Sequence, residues 1–513
     1  MGESGNETER RPGEHRSRGG RLTLRLVLVL VAFVALSGVA AYALVGPALP
    51  ANDLEAMLGL GKQAPTLQPK TLPGPKLAPV PRAHCGPGSR PLAGVQGRLS
   101  QEAIDSPEAA EGWTCNLTEV GTHPTPGGFR VWRYRDSSGR VCAYYDTSVS
   151  SPANVASIAG GPSPGVVVLD MSDPANPVET DRLTSLAMLA PHESLNLNTH
   201  RGLLAAEVGN GLTLPGTMSL YSLAGDCRHP VLRSQMPAVT GHESGFSPDG
   251  RTFWIAGGGG YIKAIDVSDP DDPNEIWSGA YYSHGLEISA DGETMYQTDP
   301  INGSLGVFDI SEVQERKPDP QVRELQRMTW DTVSIPQNSR ELEINGKPYL
   351  LEFDEFAFRF NPATLEHKVG GARLIDISKP GKPRIASNLR LEINMRDAHR
   401  KFSGDPTPLP PLSTFGYSAH YCAVPRRVDP GIVACSFTNS GLRIFDITHP
   451  RKPREVAYFV APPKAGTVAG LGAGNLALSQ PAFDPVHRDV WYTDAGSGFY
   501  SLHLGRKVWP KRH

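Results

Sequence analysis

What this sequence lacks most plainly is an excess of charge of either sign: 50 Lys and Arg stand against 53 Asp and Glu in 513 residues, a formal net charge of −3. That balance leaves no basic footprint for nucleic acid. Also absent are the P-loop of nucleotide-binding enzymes and the His-Glu-x-x-His pair, which removes those two chemistries. Cysteines number only six, and their spacing fits neither a zinc ribbon nor a papain-type nucleophile. A Gly run, Gly257 to Gly260, joins two apolar stretches and opens no helix. It is therefore no dinucleotide loop, and reads as a turn or as backbone kept slim near a channel mouth.

What the sequence has in quantity is Gly (54) and Pro (47), spread along its whole length. That composition predicts many short strands joined by many turns. The exception is Leu26 to Val45, twenty residues without a charge, long enough to cross a bilayer. Arg10, Arg11, Arg16, Arg18, Arg21 and Arg25 precede it, and no Lys or Arg follows before Lys62. The positive-inside bias keeps 1–25 in the cytosol, makes 26–45 the anchor and exports the rest. Ala41-Tyr42-Ala43 leaves a cleaved signal peptide as the competing reading. The Pro-rich stretch 46–90 reads as a semi-rigid spacer, 91–505 as the folded domain and 506–513 as a basic tail.

An exported chain meets an oxidising compartment, so the cysteines are expected to pair. Cys422 and Cys435 stand symmetrically about Val428-Asp429, the centre of an expected hairpin, which places them opposite each other on neighbouring strands. Cys85, Cys115, Cys142 and Cys227 admit three pairings, and spacing does not choose among them.

One phrase recurs and decides the fold. It reads Gly165-Val-Val-Val-Leu-Asp170-Met-Ser-Asp-Pro174, and returns ending at Asp266-Val-Ser-Asp-Pro270, Asp309-Ile-Ser311, Asp376-Ile-Ser-Lys-Pro380 and Asp446-Ile-Thr-His-Pro450. Met218 to Ser222 and Gly498 to Leu502 are degenerate copies, which makes seven. Each is a short β-rich strand closed by an Asp/Ser turn and a Pro. Hairpin turns such as Ser247-Pro-Asp-Gly250, Asn345-Gly346 and Asp429-Pro-Gly431 precede most copies, and extended pieces such as Val178 to Leu183 follow. Four strands per unit and seven units predict an all-β, seven-bladed β-propeller. Leu92 to Leu99 is the expected closing strand of the last blade.

The repeated phrase resembles the LVIVD-repeat family, surface-associated propellers of bacteria and archaea. The resemblance covers about Gly165 to Tyr458 well and the two ends loosely. It implies architecture and location, and no activity.

Aligning the hairpins on their turns exposes a chemical pattern. His242 lies seven residues before Asp249, His284 seven before Asp291, His192 eight before His200 and His420 nine before Asp429. Gln337 and Gln480 hold the equivalent places in two other repeats, and Gly127-Gly128 falls near it in the first. The first strand of a propeller blade lines the channel, so these positions meet at one mouth. Four imidazoles converging there suit Cu, Fe or Zn. Strand-start histidines that merely cap turns are the bland alternative. In this arrangement alone the chain resembles the carotenoid cleavage dioxygenases and the selenium-binding protein/methanethiol oxidase family.

The second hairpin strand returns to the same mouth with Asp146, Glu207, Asp299, Asp354-Glu355, Asn439 and Asp494, while Glu193, Glu243 and Glu287 follow or neighbour the histidines. Carboxylates there are expected to orient the imidazoles. Glu355 beside Asp354, from a blade without a histidine, is the candidate general base. Oxidation, hydrolysis and elimination all use such a constellation. The alternative is a non-catalytic module that binds a protein, glycan or other cell-surface ligand, with no metal involved.

Overall fold

A computed structural model describes residues 63–147, 165–209, 216–237, 241–258, 260–355, 368–402, 405, 416–464 and 475–510. The expected anchor 26–45 and the first part of the spacer lie outside the described residues. Among the described residues no helix is long and apolar enough to cross a membrane.

The strands form seven antiparallel sheets, one per blade. In chain order the innermost strands of blades one to seven begin at Val131, Asn196, Glu243, Leu286, Ile335, Cys422 and Ala482. Every copy of the recurring phrase is the third strand of its blade, from Val166–Asp170 in the first to Gly498–Leu504 in the seventh. The conserved-looking Asp has a local task. Oδ1 of Asp170, Asp266, Asp309, Asp376 and Asp446 accepts the backbone N–H two residues on, at 2.8–3.1 Å. That Asx turn stops the strand and starts the loop to the fourth one. At Asn345-Gly346 both turn residues take positive φ, as a two-residue hairpin between right-twisted strands requires.

Apolar residues of neighbouring blades fill the space between their sheets. Trp254, Ala256, Ile262 and Ala264 of the third blade pack on Leu286, Ile288, Met295 and Phe308 of the fourth. Each large side chain so buried contributes about 1.5–3 kcal/mol.

The ring closes differently from the expectation. The outermost strand of the seventh blade is Leu117–His123, paired antiparallel with Gly498–Leu504. Leu92 to Leu99 forms no strand. It lies against the fifth and sixth blades, where Gln96 bonds Glu455 and Ser440 bonds the Gly97 carbonyl. The reason lies just downstream. Trp113–Cys115 extends the sixth sheet beside Arg454–Val460, so the next strand meets the seventh blade.

From Gln63 the Pro-rich segment is no free spacer but a strap along the outer edges of the blades. Ala64 donates to Ala280 beyond the third blade, and Lys70–Thr71 pairs with Met328 and Thr329 of the fourth. Pro73 accepts from Ile385 of the fifth, and Pro81 from Glu455 of the sixth. Prolines suit this position because an edge partner need donate only at alternate residues. Covering edges also removes templates for unwanted pairing. The C-terminal residues fold back too: Val508 is buried and Trp509 meets Phe483.

All six cysteines pair, as Cys85–Cys115, Cys142–Cys227 and Cys422–Cys435. The last is the cross-strand pair expected from the hairpin. The first ties the strap to the strand on the sixth blade, closing a separation of 30 residues. Asn116 follows directly in an Asn-x-Thr sequon, yet its amide bonds the carbonyls of His84 and Val456, so its side chain is already committed.

Cys85→Ser combined with Cys115→Ser is expected to destabilise the oxidised full chain by about 3–4 kcal/mol, from the loop closed. Circular-dichroism melting reads this as a lower Tm with the native β spectrum retained. An unchanged Tm would mean that the strap is held without the disulfide.

Candidate metal centre

Antiparallel pairing puts the starts of the first strands and the ends of the second strands on one face of the ring. His242, His284 and His420 each fall just before a first strand, and Glu355 ends the second strand of the fifth blade. Their polar atoms meet. His242 Nε2 lies 3.1 Å from His284 Nε2. Glu193 Oε2 is 3.3 Å from His242 Nε2 and 3.8 Å from His284 Nε2, and Glu193 Oε1 is 3.2 Å from His420 Nε2. Glu355 contacts His284 at 2.8 Å and His420 at 3.3 Å through their Nε2 atoms. His192 stands beside His242 with ring centroids 4.6 Å apart. Phe129 forms a wall, its ring 4.3 Å from that of His192 and 5.5 Å from that of His420.

These spacings resemble the edges of a coordination shell. Donors held about 2.0–2.2 Å from one ion stand about 3–3.5 Å from each other. Three overlapping groups, each containing Glu193, have donor atoms within 4.8 Å of one another: His192 with His242, Glu243 with His284, and Glu355 with His420. Glu193 Oε2 and Glu243 Oε2 are buried and accept no hydrogen bond. A set of imidazoles and carboxylates with unengaged lone pairs therefore fits a divalent transition metal.

The protonation pattern follows from the crowding. Burial disfavours a charge on every group. Even so, Glu355, Glu243 and Glu193 hold the His284 pKa well above the ordinary histidine value, and contacts with Glu193 and Glu355 raise His420 to about 9. Burial and the neighbouring His242 push His192 down to about 3. Despite its burial, Glu193 is held well below the usual carboxylate range by His242, His420 and His284. His284 and His420 thus carry positive charge among the carboxylates. His420 Nδ1 lies 2.7 Å from the Leu478 carbonyl, which fixes the ring and turns Nε2 to the centre.

Beneath the cluster a polar plug fills the channel. Arg130 ion-pairs with Glu243 through Nη2, donates to Gln480 at 2.7 Å through Nη1 and to the Glu193 carbonyl at 2.9 Å through Nε. Its guanidinium also lies 4.2 Å from the Tyr421 ring centroid. Asn338 donates to the same Glu243 oxygen. Below, Arg340 and Arg427 share Glu287, at 2.7 and 2.6 Å. They border a 340 Å³ cavity at the opposite mouth with Asn196, Asn198, Ser247 and Asn338.

The four histidines of the sequence pattern come together, joined by Glu193 and Glu355 among the donors and by Glu243 behind them. Other expected residues do not reach them. Asp354, next to Glu355 on the strand, faces the opposite side, where it bonds Arg373 at 2.7 Å and Trp330 Nε1 at 3.1 Å. Asp299 and Asp494 cap the turns that follow them. Glu287 and Gln480 belong to the plug, and Asn439 bonds the Gly416 carbonyl. Glu207 is buried against Gly241, its carboxyl pushed well above the normal range by desolvation. Gln337 is buried, and its carbonyl accepts from Thr298. Asp146 acts indirectly, accepting the N–H groups of Phe129 and Arg130 at 2.8 and 2.9 Å.

Arg130 and Phe129 were not anticipated from the sequence. Their signal was position, because they follow the Gly127-Gly128 pair at the matching place in the first blade. The Gly257 reading holds. A Cβ there would sit 2.3 Å from the His242 Cβ, so the backbone is slim where the imidazole stands. Gly285 does the same for Glu243, whose Oε2 would lie 2.1 Å from an added Cβ.

Arg130→Met should leave Glu243 with its principal countercharge gone and destabilise the fold by about 3–5 kcal/mol. Adding Glu243→Gln should recover part of that loss in urea unfolding. Additive losses would mean that the two side chains are not coupled.

Comparison with known proteins adds the family of the repeat. Among curated proteins, none matches this sequence. Solved structures that align with this chain include the Cps50 (Swd1) β-propeller domain of Myceliophteria thermophila, at 11% identity and a TM-score of 0.48, covering 76% of this chain and 99% of that one. The periplasmic gluconolactonase PpgL of Pseudomonas aeruginosa aligns at 13% identity and a TM-score of 0.43, over 76% of this chain and 96% of its own. Residues 162–184, which hold the third and fourth strands of the first blade, match the LVIVD repeat, so the chain is a seven-bladed propeller carrying an LVIVD repeat.

Proposed function

We propose that this protein is a membrane-anchored, extracytoplasmic metalloenzyme whose propeller holds a divalent transition metal, Cu, Fe or Zn, at one mouth of its channel. The observation that carries this reading is the meeting of His242, His284, His420, Glu193 and Glu355 at contacts of 2.8–3.8 Å. Here two carboxylates and three imidazoles face a common point, with His192 at its side.

When bound, such a metal supplies Lewis acidity and, for Cu or Fe, electron transfer. The chain supplies the rest. The Leu478 carbonyl sets the tautomer of His420, and Glu243 steadies His284 from behind its Nδ1, 3.6 Å away. Glu193 and Glu355 offset the charge of a divalent ion. Glu355, which reaches the centre from a blade without a histidine, is assigned the proton-accepting role. Arg130 and its partners close the channel below, so a small-molecule substrate enters from the histidine mouth.

Export rests on two observations. Leu26 to Val45 is uncharged behind an Arg-rich segment, and three disulfides consume all six cysteines. The lipid bilayer is thus the proposed partner of the apolar segment 26–45.

Purified full-length protein from metal-replete cells is expected to contain about one equivalent of Cu, Fe or Zn by elemental analysis. His242→Ala and His284→Ala should each lose most of it while retaining the β spectrum. Ligating imidazoles must shed protons, so uptake should weaken as pH falls below about 9, where His420 holds its proton. Metal-free wild-type protein of full stability would overturn the proposal and leave a surface binding module.

A further inference from the structure

A second site lies on the same face of the ring, at the periphery of the fifth blade. There Arg390 follows the fourth strand, Arg384–Leu389, and Lys368 to Gly371 lead into the third, Ala372–Asp376. Both lie on the face where Glu355 ends the second strand. Between them is a cavity of 320 Å³ lined by Leu77, Thr332, Lys368, Val369, Arg390 and Arg396, with Asp331 and Asn394 completing it.

Arg390 is the unusual member. Its side chain is almost wholly buried, at 2% exposure, and one nitrogen, Nη1, donates to the Val369 carbonyl at 2.6 Å. Nε and Nη2 have no hydrogen-bond partner among the described residues. Among buried carboxylates, Asp354 accepts from Arg373, Trp330 and Ser334 through Oδ2, and its Oδ1 accepts no bond among the described residues. Two buried guanidinium donors left unbonded are costly, the more so because the group is charged.

The local backbone is shaped around this guanidinium. A Cβ on Gly371 would lie 2.9 Å from both Cζ and Nε of Arg390, so only glycine lets the planar group lie flat there. Nε and one Nη form the edge of the guanidinium that grips two oxygens of one carboxylate or phosphate. Lys368 and Arg396 add positive charge at the rim against the single Asp331. Leu77 of the strap and buried Val369 supply apolar contact beside the charged end.

We propose that this cavity binds a small organic oxyanion, its carboxylate or phosphate paired with Arg390 and Lys368 and its apolar part held between Leu77 and Val369. The site uses none of the residues of the proposed metal centre and does not depend on a metal being bound there.

Isothermal titration of the purified full chain with butyrate, inorganic phosphate and uncharged butyramide tests this. At least one anion should bind while butyramide does not, and the preferred anion identifies the head group. Arg390→Met should weaken that binding by about tenfold or more, and Lys368→Ala by about threefold. His284→Ala should leave it unchanged, which separates this site from the metal centre. Should Arg390→Met fail to fold, Lys368→Ala and Gly371→Ala decide, since both are expected to weaken binding. No heat with either anion up to about 10 mM, or wild-type affinity in these variants, overturns the proposal.

Discussion

A closed ring is the constraint on which everything else depends. Only when Leu117–His123 pairs with Gly498–Leu504 do seven sheets surround one axis, and only then can side chains from the second, third, fourth, fifth and sixth blades reach a common point. Glu193 is the clearest product of that geometry. Its carboxylate is buried, and it touches imidazoles from three different blades. A buried carboxylate persists when opposite charge surrounds it, and here closure assembles that charge.

The same closure demands that the channel be filled, because a polar void in a core leaves groups unbonded. Arg130, Glu243, Asn338 and Gln480 bond one another below the histidines. Arg340, Glu287 and Arg427 continue the ladder toward the opposite mouth. The outer rim is managed with the N-terminal strap, which bonds successive blades before the Cys85–Cys115 disulfide ties it down. Prolines that would spoil a central strand serve well along an edge.

Much of the candidate site was legible because a propeller repeats its register. His192, His242, His284 and His420 recur at nearly constant distance from a hairpin turn, and equal register in a ring means convergence. Carboxylates were harder to sort. Glu355 and Asp354 are adjacent, yet only the first reaches the imidazoles, because successive strand residues face opposite sides. Asp299 and Asp494 share the strand-end position of Glu355 but are short enough to cap their own turns. Arg130 stood outside the histidine pattern, and a long side chain crossing the axis leaves no periodic trace.

By itself the sequence determined the blade count, the hairpins and the Cys422–Cys435 pair, since each follows from contacts among residues close along the chain. The strand alternation, the Asp-φ-Ser turns and the mirror spacing of two cysteines all act within one sheet. Tertiary structure alone decided which strand seals the ring, that Cys85 joins Cys115 and Cys142 joins Cys227, that residues 63–90 wrap the rim, and which acids meet the histidines. Those outcomes depend on where distant segments are carried once the apolar faces of seven sheets have packed, and that placement is a property of the whole ring.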